Sequence, residues 1–341
     1  MRRDSSVAPN RIVETLVAYW DTEVLKAAIE LDLFTVLGKK SLTLTQLARR
    51  SGLDKKGLGQ LCDYLAQLGF IRKVSGRYAS ARDAARYLDR NSPWSLCTVA
   101  DFFTSPFLTQ AFTKLPQVVK RGRANLAGEG ILEPNHPAWV QFARATWPLR
   151  LLEAGIVVRA LEKQRLARGR VLELGCGGSP VGITLLKRHP RLSLVAQDWP
   201  DVLTITAERA RQTGVAERIE LLPGDARIMD FAGPYDLVLM VNFLDYFERA
   251  TRLALLRKVY AALRPGGTAM VYAPLLEPQE RSWSAVAYNL LLLVTSPGGE
   301  AFTFAQLKSL LAKAGFSSAQ CHPDMPLVTA HKPAARRRTP L

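Results

Sequence analysis

The stretch Val-Leu-Glu-Leu-Gly-Cys-Gly-Gly-Ser-Pro at residues 171–180 decides the fold of this chain. Its first four residues, Val171–Leu174, form an apolar run of the kind found in a buried parallel strand. The glycines within residues 175–178 follow as a turn that a ligand can approach closely, because no Cβ intervenes. Val181–Arg188 then returns to helical spacing, so the stretch predicts a strand, a glycine turn and a helix.

A second predicted strand, Leu192–Gln197, ends at Asp198. An acid at this place, about 20 residues beyond the glycines, can accept hydrogen bonds from both ribose hydroxyls of a nucleoside. The glycine spacing differs from the dinucleotide fingerprint, and no basic residue stands near the turn to suit a pyrophosphate. Glu173, two residues before Gly175, instead suits a ligand with an amino group. These features favour S-adenosylmethionine, which carries an amino group, a ribose and an adenine.

The alternation of strands and helices continues downstream. Asp225 follows a third strand and is placed for the edge of an adenine. Tyr235–Val241 is predicted as the fourth strand and Arg252–Leu263 as an amphipathic helix. The Arg-Pro-Gly-Gly run at 264–267 is predicted to end that helix before a fifth strand, Thr268–Tyr272.

In order and spacing, these motifs resemble the class I S-adenosylmethionine-dependent methyltransferases. They are most similar to the small-molecule O-methyltransferase family, typified by plant caffeate and bacterial polyketide enzymes. The resemblance implies an α/β fold with a doubly wound, Rossmann-like sheet and a C-terminal antiparallel hairpin, preceded by an α-helical winged-helix dimerisation domain. The matching stretches cover nearly the whole chain: Lys26–Phe34, Val171–Pro200, Gly224–Leu244, Leu263–Gly267, Ser296–Gly299 with Phe302 and Thr303, Leu311–Phe316 and Leu327–Lys332.

The resemblance implies S-adenosylmethionine as the cofactor. Within the predicted site, the glycine turn would lie against the amino-acid moiety, Asp198 would hold the ribose and Asp225 the adenine edge. An alternative for Asp198 is capping of the helix that begins near Pro200. The predicted cofactor-binding residues are Glu173, Gly175, Gly177, Asp198, Trp199, Asp225, Ala226 and Asn242.

The first third of the chain has the pattern of a winged helix-turn-helix. Helical stretches at Arg11–Leu37, Leu44–Leu53 and Lys55–Leu68 precede a predicted hairpin over residues 70–79. Taken alone, such a module would be interpreted as DNA-binding. Its candidate DNA contacts are Arg49, Arg50, Lys55 and Lys56. In the resembled methyltransferases the same module is a dimerisation domain, so we expect a homodimer and take nucleic-acid binding as the lesser alternative.

Four segments are expected along the chain: a winged-helix dimerisation domain over 1–95, a helical connector over 96–160, an S-adenosylmethionine-binding domain over 161–333, and a basic disordered tail over 334–341. Within the connector, Trp139–Thr146 resembles the family helix Phe-Asn-Arg-Ala-Met, which lines donor and acceptor sites. Ala143 and Thr146 replace its Asn and Met, which indicates a differently shaped pocket. The predicted acceptor-binding residues are Phe142, Thr146, Trp147, Tyr246 and Asn289.

The expected base departs from the family pattern. In O-methylating members the fourth strand runs into His-Asp-Trp, and the histidine is the general base. Here Asp245 occupies that position, and none of the four histidines aligns with it. We therefore predict Asp245 as the catalytic residue, either orienting the acceptor or acting as a weak base whose pKa burial raises. The alternative is that Asp245 caps the helix beginning near Glu248.

The absence of that histidine leaves oxygen, carbon and nitrogen open as the methylated atom. The chain is also similar to a bacteriochlorophyllide C-methyltransferase branch, which lacks the histidine. We expect a methyltransferase for a small aromatic or apolar acceptor of secondary or pigment metabolism. The alternatives are a relative that uses the bound sulfonium for non-methylating chemistry, and a DNA-binding, ligand-sensing regulator.

Bulk composition agrees with a two-domain protein: the chain has 341 residues, of which 48% are hydrophobic. Its longest apolar stretch, around Leu290–Val294, falls far short of the roughly 20 residues of a membrane span. The N-terminus lacks a signal-peptide pattern, and four scattered cysteines indicate neither zinc nor disulfides. We expect a cytoplasmic protein without a metal or membrane contact. The net charge of +16 is interpreted as solvated basic faces, with an anion-binding surface as the alternative.

Overall fold

The computed structural model describes residues 10–124, 128–162, 168–277 and 283–334. The chain divides into two compact units, residues 1–105 and residues 106–341. The division therefore lies beyond residue 95, and most of the predicted connector belongs to the second unit. The predicted basic tail lies outside the described residues except for residue 334.

The first unit combines helices with a small three-stranded sheet. Strand order is β1-β3-β2, with β3 antiparallel to both neighbours. The two short predicted helices and the hairpin are confirmed, and β1 adds a strand that sequence analysis missed. The elements are α1 (Asn10–Val17), α2 (Tyr19–Glu30), α3 (Leu33–Leu37), β1 (Leu42–Thr43), α4 (Leu44–Ser51), α5 (Lys55–Gln67), β2 (Ile71–Val74), β3 (Arg77–Ser80), α6 (Arg82–Tyr87) and α7 (Val99–Phe103).

The predicted helical stretch over residues 11–37 is three helices and not one. Asp32 interrupts it with a left-handed backbone (φ 53°), which turns α3 so that Phe34 is fully buried. Local capping fixes the next two helices. Thr43 forms a capping box with Gln46 at the start of α4, and Asp54 accepts two backbone N–H groups at the start of α5.

The second unit contains a seven-stranded sheet between two layers of helices. Strand order is β6-β5-β4-β7-β8-β10-β9; the first five are parallel, and β10 is antiparallel to both neighbours. The predicted Rossmann-like sheet and its antiparallel hairpin are confirmed. The elements are α8 (Pro106–Thr113), α9 (Leu115–Arg121), α10 (Pro137–Ala145), α11 (Trp147–Glu162), β4 (Arg168–Leu174), α12 (Pro180–Arg188), β5 (Arg191–Asp198), α13 (Pro200–Gln212), β6 (Ile219–Pro223), β7 (Tyr235–Val241), α14 (Arg249–Ala262), β8 (Leu263–Tyr272), α15 (Trp283–Thr295), α16 (Phe304–Lys313), β9 (Ser317–Cys321) and β10 (Leu327–His331).

The predicted turn at residues 264–267 is instead the first part of β8. Leu263 pairs with Tyr235, and a register shift before Leu237 accommodates the Pro-Gly-Gly run. The helix before it accordingly ends at Ala262. Pairing with β7 therefore outweighs the local preference of the Pro-Gly-Gly run for a turn.

Both faces of the sheet are buried, as expected of parallel strands. Successive residues of β4 point to opposite faces. Val171 packs in an apolar cluster with residues of α11 and α12, whereas Leu172 packs in a second cluster with residues of α14 and α16. The carboxyl ends of the strands remain as the place where polar groups can gather.

Two further observations concern the described residues. None of their helices is long and apolar enough to cross a membrane. Their His, Cys, Asp and Glu side chains form no group of three or more able to hold a metal ion. Cys62, Cys97 and Cys176 are buried free thiols, and Cys321 is exposed.

Candidate active site

A pocket opens at the carboxyl ends of β4, β5, β6 and β7. The strand order turns in opposite directions on the two sides of β4, and ligands of doubly wound sheets bind at such a point. Each strand contributes residues at or directly after its end, and α10 and α11 with the residue between them contribute six more, three of them aromatic. The helical contributors are Trp139, Phe142, Ala143, Thr146, Trp147 and Arg150.

The structure brings nearly all predicted site residues into this pocket. The eight predicted cofactor-binding residues line it, as do Phe142, Thr146, Trp147 and Tyr246 from the predicted acceptor set. Asn289 is not among the lining residues; its Oδ1 accepts the backbone N–H of Ala301 at 2.8 Å. The roles of these residues remain predictions.

The glycine turn needs glycine for two different reasons. Gly175 and Gly177 both have left-handed backbones, with φ of 59° and 57°. A Cβ on Gly175 would collide with the ring of Phe243, whereas a Cβ on Gly177 would meet nothing within 4 Å. Gly177 therefore borders open space in which a ligand can approach the main chain.

Asp198 ties the end of β5 to the glycine turn. Its Oδ2 accepts the backbone N–H of Gly177 at 2.8 Å, and its Oδ1 accepts that of Trp199 at 2.7 Å. Burial outweighs these hydrogen bonds and raises the pKa of Asp198 to about 6. The two backbone N–H groups that Asp198 binds belong to Gly177 and Trp199, and neither lies inside α13. The predicted alternative of helix capping is therefore wrong.

Glu173 is buried between β4 and the start of α12. Its Oε2 accepts the hydroxyl of Ser179, and the carboxylate also accepts the backbone N–H of Gly182. Burial raises the pKa of Glu173 to about 7. The carboxylate thus holds the helix start against the strand, while contact with a ligand amino group remains a prediction.

Arg150 lines the pocket, although sequence analysis found no basic residue near the glycine turn. It lies one turn into α11, pairs with Glu153 at 2.6 Å and stands over the ring of Phe142 at 5.3 Å. Proximity in the fold, and not in the sequence, places it there. Arg150 is distant from the turn in the sequence, so the sequence alone could not show that it lines the same pocket.

A second pocket arginine, Arg227, engages Asp225. Its Nε and Nη2 lie 2.9 and 2.7 Å from Asp225 Oδ2, and its Nη1 lies 2.6 Å from Glu129. Asp225 therefore already accepts a fork of donors, and an adenine amino group would share its remaining lone pairs. Sequence reasoning missed Arg227 because an arginine two residues after an acid gives no distinctive signal.

Asp245 lies in a short helical turn after β7 and is only 1% exposed. Its Oδ2 accepts the hydroxyl of Tyr288, and its Oδ1 has no hydrogen-bond partner among the described residues. Burial raises the pKa of Asp245, opposed by Tyr288 and by the charges of Arg252 and Arg150. It is not among the pocket-lining residues; its neighbour Tyr246 is. The N-terminus of α14 has no side-chain cap, so the predicted capping role of Asp245 is wrong.

The pocket fits S-adenosylmethionine. Gly177 leaves open space beside the main chain, and the partly buried carboxylate of Asp198 stands at the end of the next strand. Aromatic rings and carboxylates around the same space suit a cationic ligand. The fit rests on this chain's own residues, which provide an acid at the end of β5 and a turn in which Gly177 leaves the main chain open to a ligand.

Two protein-family models match the chain. One describes a methyltransferase domain and covers residues 171–267; the other describes an O-methyltransferase dimerisation domain and covers residues 13–90. The crystal structure of a protein from Nostoc punctiforme, assigned to the O-methyltransferases, is 33% identical and superposes with a TM-score of 0.91. The alignment covers 96% of this chain and 100% of that one. This chain belongs to the O-methyltransferase family. It is an S-adenosylmethionine-dependent methyltransferase.

More distant family members extend this result. The tetracenomycin polyketide synthesis 8-O-methyl transferase of Streptomyces glaucescens is 26% identical over 318 residues, which is 91% of each chain. Human N-acetylserotonin methyltransferase, solved with S-adenosylmethionine, has a TM-score of 0.82 at 20% identity and covers 98% of this chain and 100% of its own. That second likeness shows the shared fold. Family membership favours methyl transfer over the non-methylating and regulatory alternatives.

Proposed function

We propose that this enzyme methylates a hydroxyl group on a flat aromatic small molecule of secondary or pigment metabolism. The observation that carries the proposal is the composition of the pocket, in which the glycine turn faces the same space as Trp139, Phe142, Trp147 and Tyr246. Planar rings gain apolar contact and favourable stacking against such side chains. A relative of similar length is the tetracenomycin polyketide synthesis 8-O-methyl transferase of Streptomyces glaucescens.

Each part of the pocket has its own task. The bound sulfonium supplies an activated methyl group, so the protein has to bind, orient and exclude water. Gly175 and Gly177 admit the amino-acid moiety, and Asp198 accepts the ribose hydroxyls. Trp199 and Ala226 flank the adenine. The aromatic residues of α10 and α11 hold the acceptor plane.

A second candidate is methylation at carbon. The observation that favours it is Asp245 in the position where O-methylating relatives of the resembled type carry histidine. A carbon nucleophile on an electron-rich ring attacks before it loses its proton, so it needs a base less than a weakly acidic phenol does. The two candidates share the donor site and differ in the atom of the product that carries the methyl group.

We infer that the enzyme acts as a homodimer held by its first unit. The match to a dimerisation domain supports this, and α1 with the start of α2 leaves Ile12, Leu16 and Tyr19 exposed by 65%, 71% and 64%. Apolar surface of this extent usually marks an interface. Nucleic-acid binding stays the lesser alternative, and a cytoplasmic location stays a prediction from the scattered spacing of the cysteines in the sequence.

Calorimetry followed by product analysis tests the function. The purified protein is titrated with S-adenosylhomocysteine, NAD and ATP, then incubated with S-adenosylmethionine carrying a labelled methyl group and a panel of hydroxynaphthoates, naphthols and hydroxyanthraquinones. We expect binding of the S-adenosyl compound alone and label on an aromatic hydroxyl. Label on a ring carbon would select the second candidate. Binding of the S-adenosyl compound without label on any aromatic would contradict the proposed acceptor class.

A further inference from the structure

The amino-acid moiety of S-adenosylmethionine carries two opposite charges, an ammonium and a carboxylate. Sequence analysis predicted Glu173 for the ammonium and no residue for the carboxylate. A carboxylate that enters a partly enclosed pocket loses water, so it needs hydrogen-bond donors or a cation in return. The pocket has to supply these, although Glu173 and Asp198 also line it and repel a carboxylate when they are ionised.

The main chain of the glycine turn is already largely engaged within the protein. Turns of this kind often bind anions through successive backbone amides. Four amides of this turn have protein acceptors: those of Gly175 and Cys176 donate to Gln197, that of Gly177 donates to Asp198, and that of Ser179 donates to Cys176. The turn therefore has few donors left for the carboxylate of a ligand, and a side chain is needed.

Two arginines, Arg150 and Arg227, line the pocket. Arg227 directs its Nε and Nη2 to Asp225 and its Nη1 to Glu129, so all three nitrogens face carboxylates. Among the described residues, Arg150 makes one side-chain hydrogen bond, from Nη1 to Glu153 at 2.6 Å. Its Nε is buried and has no partner among those residues. Arg150 is thus the pocket arginine that keeps donors for a ligand.

Arg150 also lies on the side of α11 that meets the glycine turn. Trp147 begins α11, and a Cβ on Gly178 would lie 2.9 Å from its ring, so the helix starts directly against the turn. Arg150 follows Trp147 by three residues and therefore shares its side of the helix. The ion pair with Glu153 and the ring of Phe142, 5.3 Å from the guanidinium, hold the arginine in place.

We propose that Arg150 binds the carboxylate of the amino-acid moiety of S-adenosylmethionine. Nε and Nη2 form the edge of a guanidinium that can hold a carboxylate with two parallel hydrogen bonds. An acceptor at Nε also removes the cost of a buried donor without a partner. The inference rests on the proposed placement of the amino-acid moiety at the glycine turn, and it does not depend on the identity of the methyl acceptor.

A carboxylate on the aromatic acceptor would offer the same chemistry from a second source. Tyr246 belongs to the predicted acceptor set; burial raises its pKa, and the charge of Arg150 opposes this shift. The guanidinium therefore also acts on the acceptor end of the pocket. The contact between the start of α11 and the glycine turn favours the carboxylate of the donor, and the experiments below separate the two sources.

Calorimetry with two donor analogues tests the contact without an acceptor. S-Adenosylhomocysteine carries the carboxylate, whereas its decarboxylated analogue keeps the nucleoside, the thioether and the amino group. We expect the wild type to bind S-adenosylhomocysteine about tenfold or more tightly than the analogue, because charged hydrogen bonds are lost with the carboxylate. Arg150→Met should lose this preference, with a lower affinity for S-adenosylhomocysteine and an unchanged affinity for the analogue.

Two further variants separate charge, geometry and folding. Arg150→Lys keeps the charge and loses the fork of donors, so it should keep only part of the preference. Arg144→Met is the matched control: Arg144 pairs with Glu208 at 3.4 Å, as Arg150 pairs with Glu153, but it does not line the pocket. This control should behave like the wild type. Binding of the decarboxylated analogue by Arg150→Met shows that the variant is folded.

Four results would overturn the inference. The first is equal affinity of the wild type for the two compounds, and the second is a preference that Arg150→Met retains. The third is an equal loss of affinity for both compounds in Arg150→Met and Arg150→Lys, since such a loss would not depend on the carboxylate. The fourth is an unchanged affinity for S-adenosylhomocysteine in Arg150→Met with a raised KM for hydroxynaphthoates but not for matched naphthols. That result would assign Arg150 to a carboxylate of the acceptor.

A separate probe tests the placement on which the inference rests. 5′-Methylthioadenosine lacks the amino-acid moiety. A wild type that binds S-adenosylhomocysteine no more tightly than this compound would contradict the placement of that moiety at the glycine turn, and with it the role of Arg150. None of these results decides which atom is methylated, since the labelled product decides that independently.

Discussion

The carboxylate of Asp198 accepts the backbone N–H of Gly177 at 2.8 Å, so the end of β5 fixes the turn that follows β4. The same carboxylate is the predicted partner of the ribose hydroxyls. One partly buried acid thus fixes the turn and is also the predicted partner of the ligand. Because its pKa is about 6, we expect both the hydrogen bond to the turn and the predicted contact with ribose to depend on pH near neutrality.

We predict that donor affinity rises with pH. Hydroxyl donors bind the ionised carboxylate, so a proton on Asp198 competes with the ligand. With a pKa of about 6 in the free protein, affinity for S-adenosylhomocysteine should fall about tenfold between pH 7 and pH 5. Calorimetry across this range measures it.

Asp198→Asn supplies the control for that prediction. Its affinity should be lower by about tenfold or more at pH 7, because the charge-assisted hydrogen bonds are lost. The pH step near 6 should be absent. In the ligand-free protein the sign is opposite: the folded state holds the proton more tightly than the unfolded state, so stability from this group falls as pH rises from about 4 to about 6. A pH-independent affinity in the wild type would contradict the assignment.

Gly177→Ala should separate backbone strain from ligand exclusion. Gly177 and Gly214 have left-handed backbones with φ of 57° and 73°, and a Cβ on either meets nothing within 4 Å. Gly214 lies in the turn after α13 and does not line the pocket. Both alanine variants should lose about 1–2 kcal/mol of stability in denaturant unfolding. Only Gly177→Ala should also weaken S-adenosylhomocysteine binding, and equal affinities in the two variants would argue against a ligand at this turn.

Asp245→Asn should stabilise the protein while it slows the reaction. Burial raises the pKa of Asp245, so its ionisation at high pH lowers the free energy of unfolding. An uncharged side chain of the same shape does not carry this destabilisation. The Tm of the variant should exceed that of the wild type at about pH 8, and the difference should shrink as the pH is lowered and Asp245 takes up a proton. Turnover should fall about tenfold or more with donor affinity intact. Unchanged turnover with a true acceptor would remove Asp245 from the mechanism.

Leu16→Asp should weaken the homodimer. A charge on the exposed apolar face of α1 would have to be buried on association, which costs several kcal/mol if it is unpaired. Ile228→Asp is the matched control: Ile228 is 84% exposed, against 71% for Leu16, and lies outside the dimerisation domain. Light scattering at micromolar concentration should give a dimer for the wild type and the control. A monomeric wild type with salt-sensitive binding to duplex DNA would favour the alternative of nucleic-acid binding.

Several features were predictable because they depend on residues close together in the chain. The strand, glycine turn and helix at 171–188 follow from local apolar spacing and from the need for glycine at left-handed positions. Parallel strands bring their carboxyl ends to one edge, so acids that follow β5 and β6 could be placed in one site from the sequence. The resemblance to the family supplied the doubly wound sheet with its C-terminal hairpin, and it agreed with the cofactor that the residues favoured.

Other features depended on contacts between distant residues. The break at Asp32 and the early start of β8 at Leu263 were missed, since helix packing and strand pairing overrode the local pattern. Sequence reasoning placed Asn289 with the acceptor. In the structure its side-chain oxygen instead accepts the backbone N–H of Ala301. Arg150 and Arg227 line the pocket, but nothing in the sequence around either residue indicates that it does.

The sequence by itself determined that the histidine base of the resembled family is absent, because Asp245 occupies its position. Only the tertiary structure decided what surrounds that acid. It removed Asp245 from water, left Oδ1 without a hydrogen-bond partner among the described residues and brought Tyr288 from a distant helix to Oδ2. A hydrogen bond between residues so far apart in the chain depends on how the fold places α15 beside the helical turn that follows β7. No local pattern of residues encodes that distance.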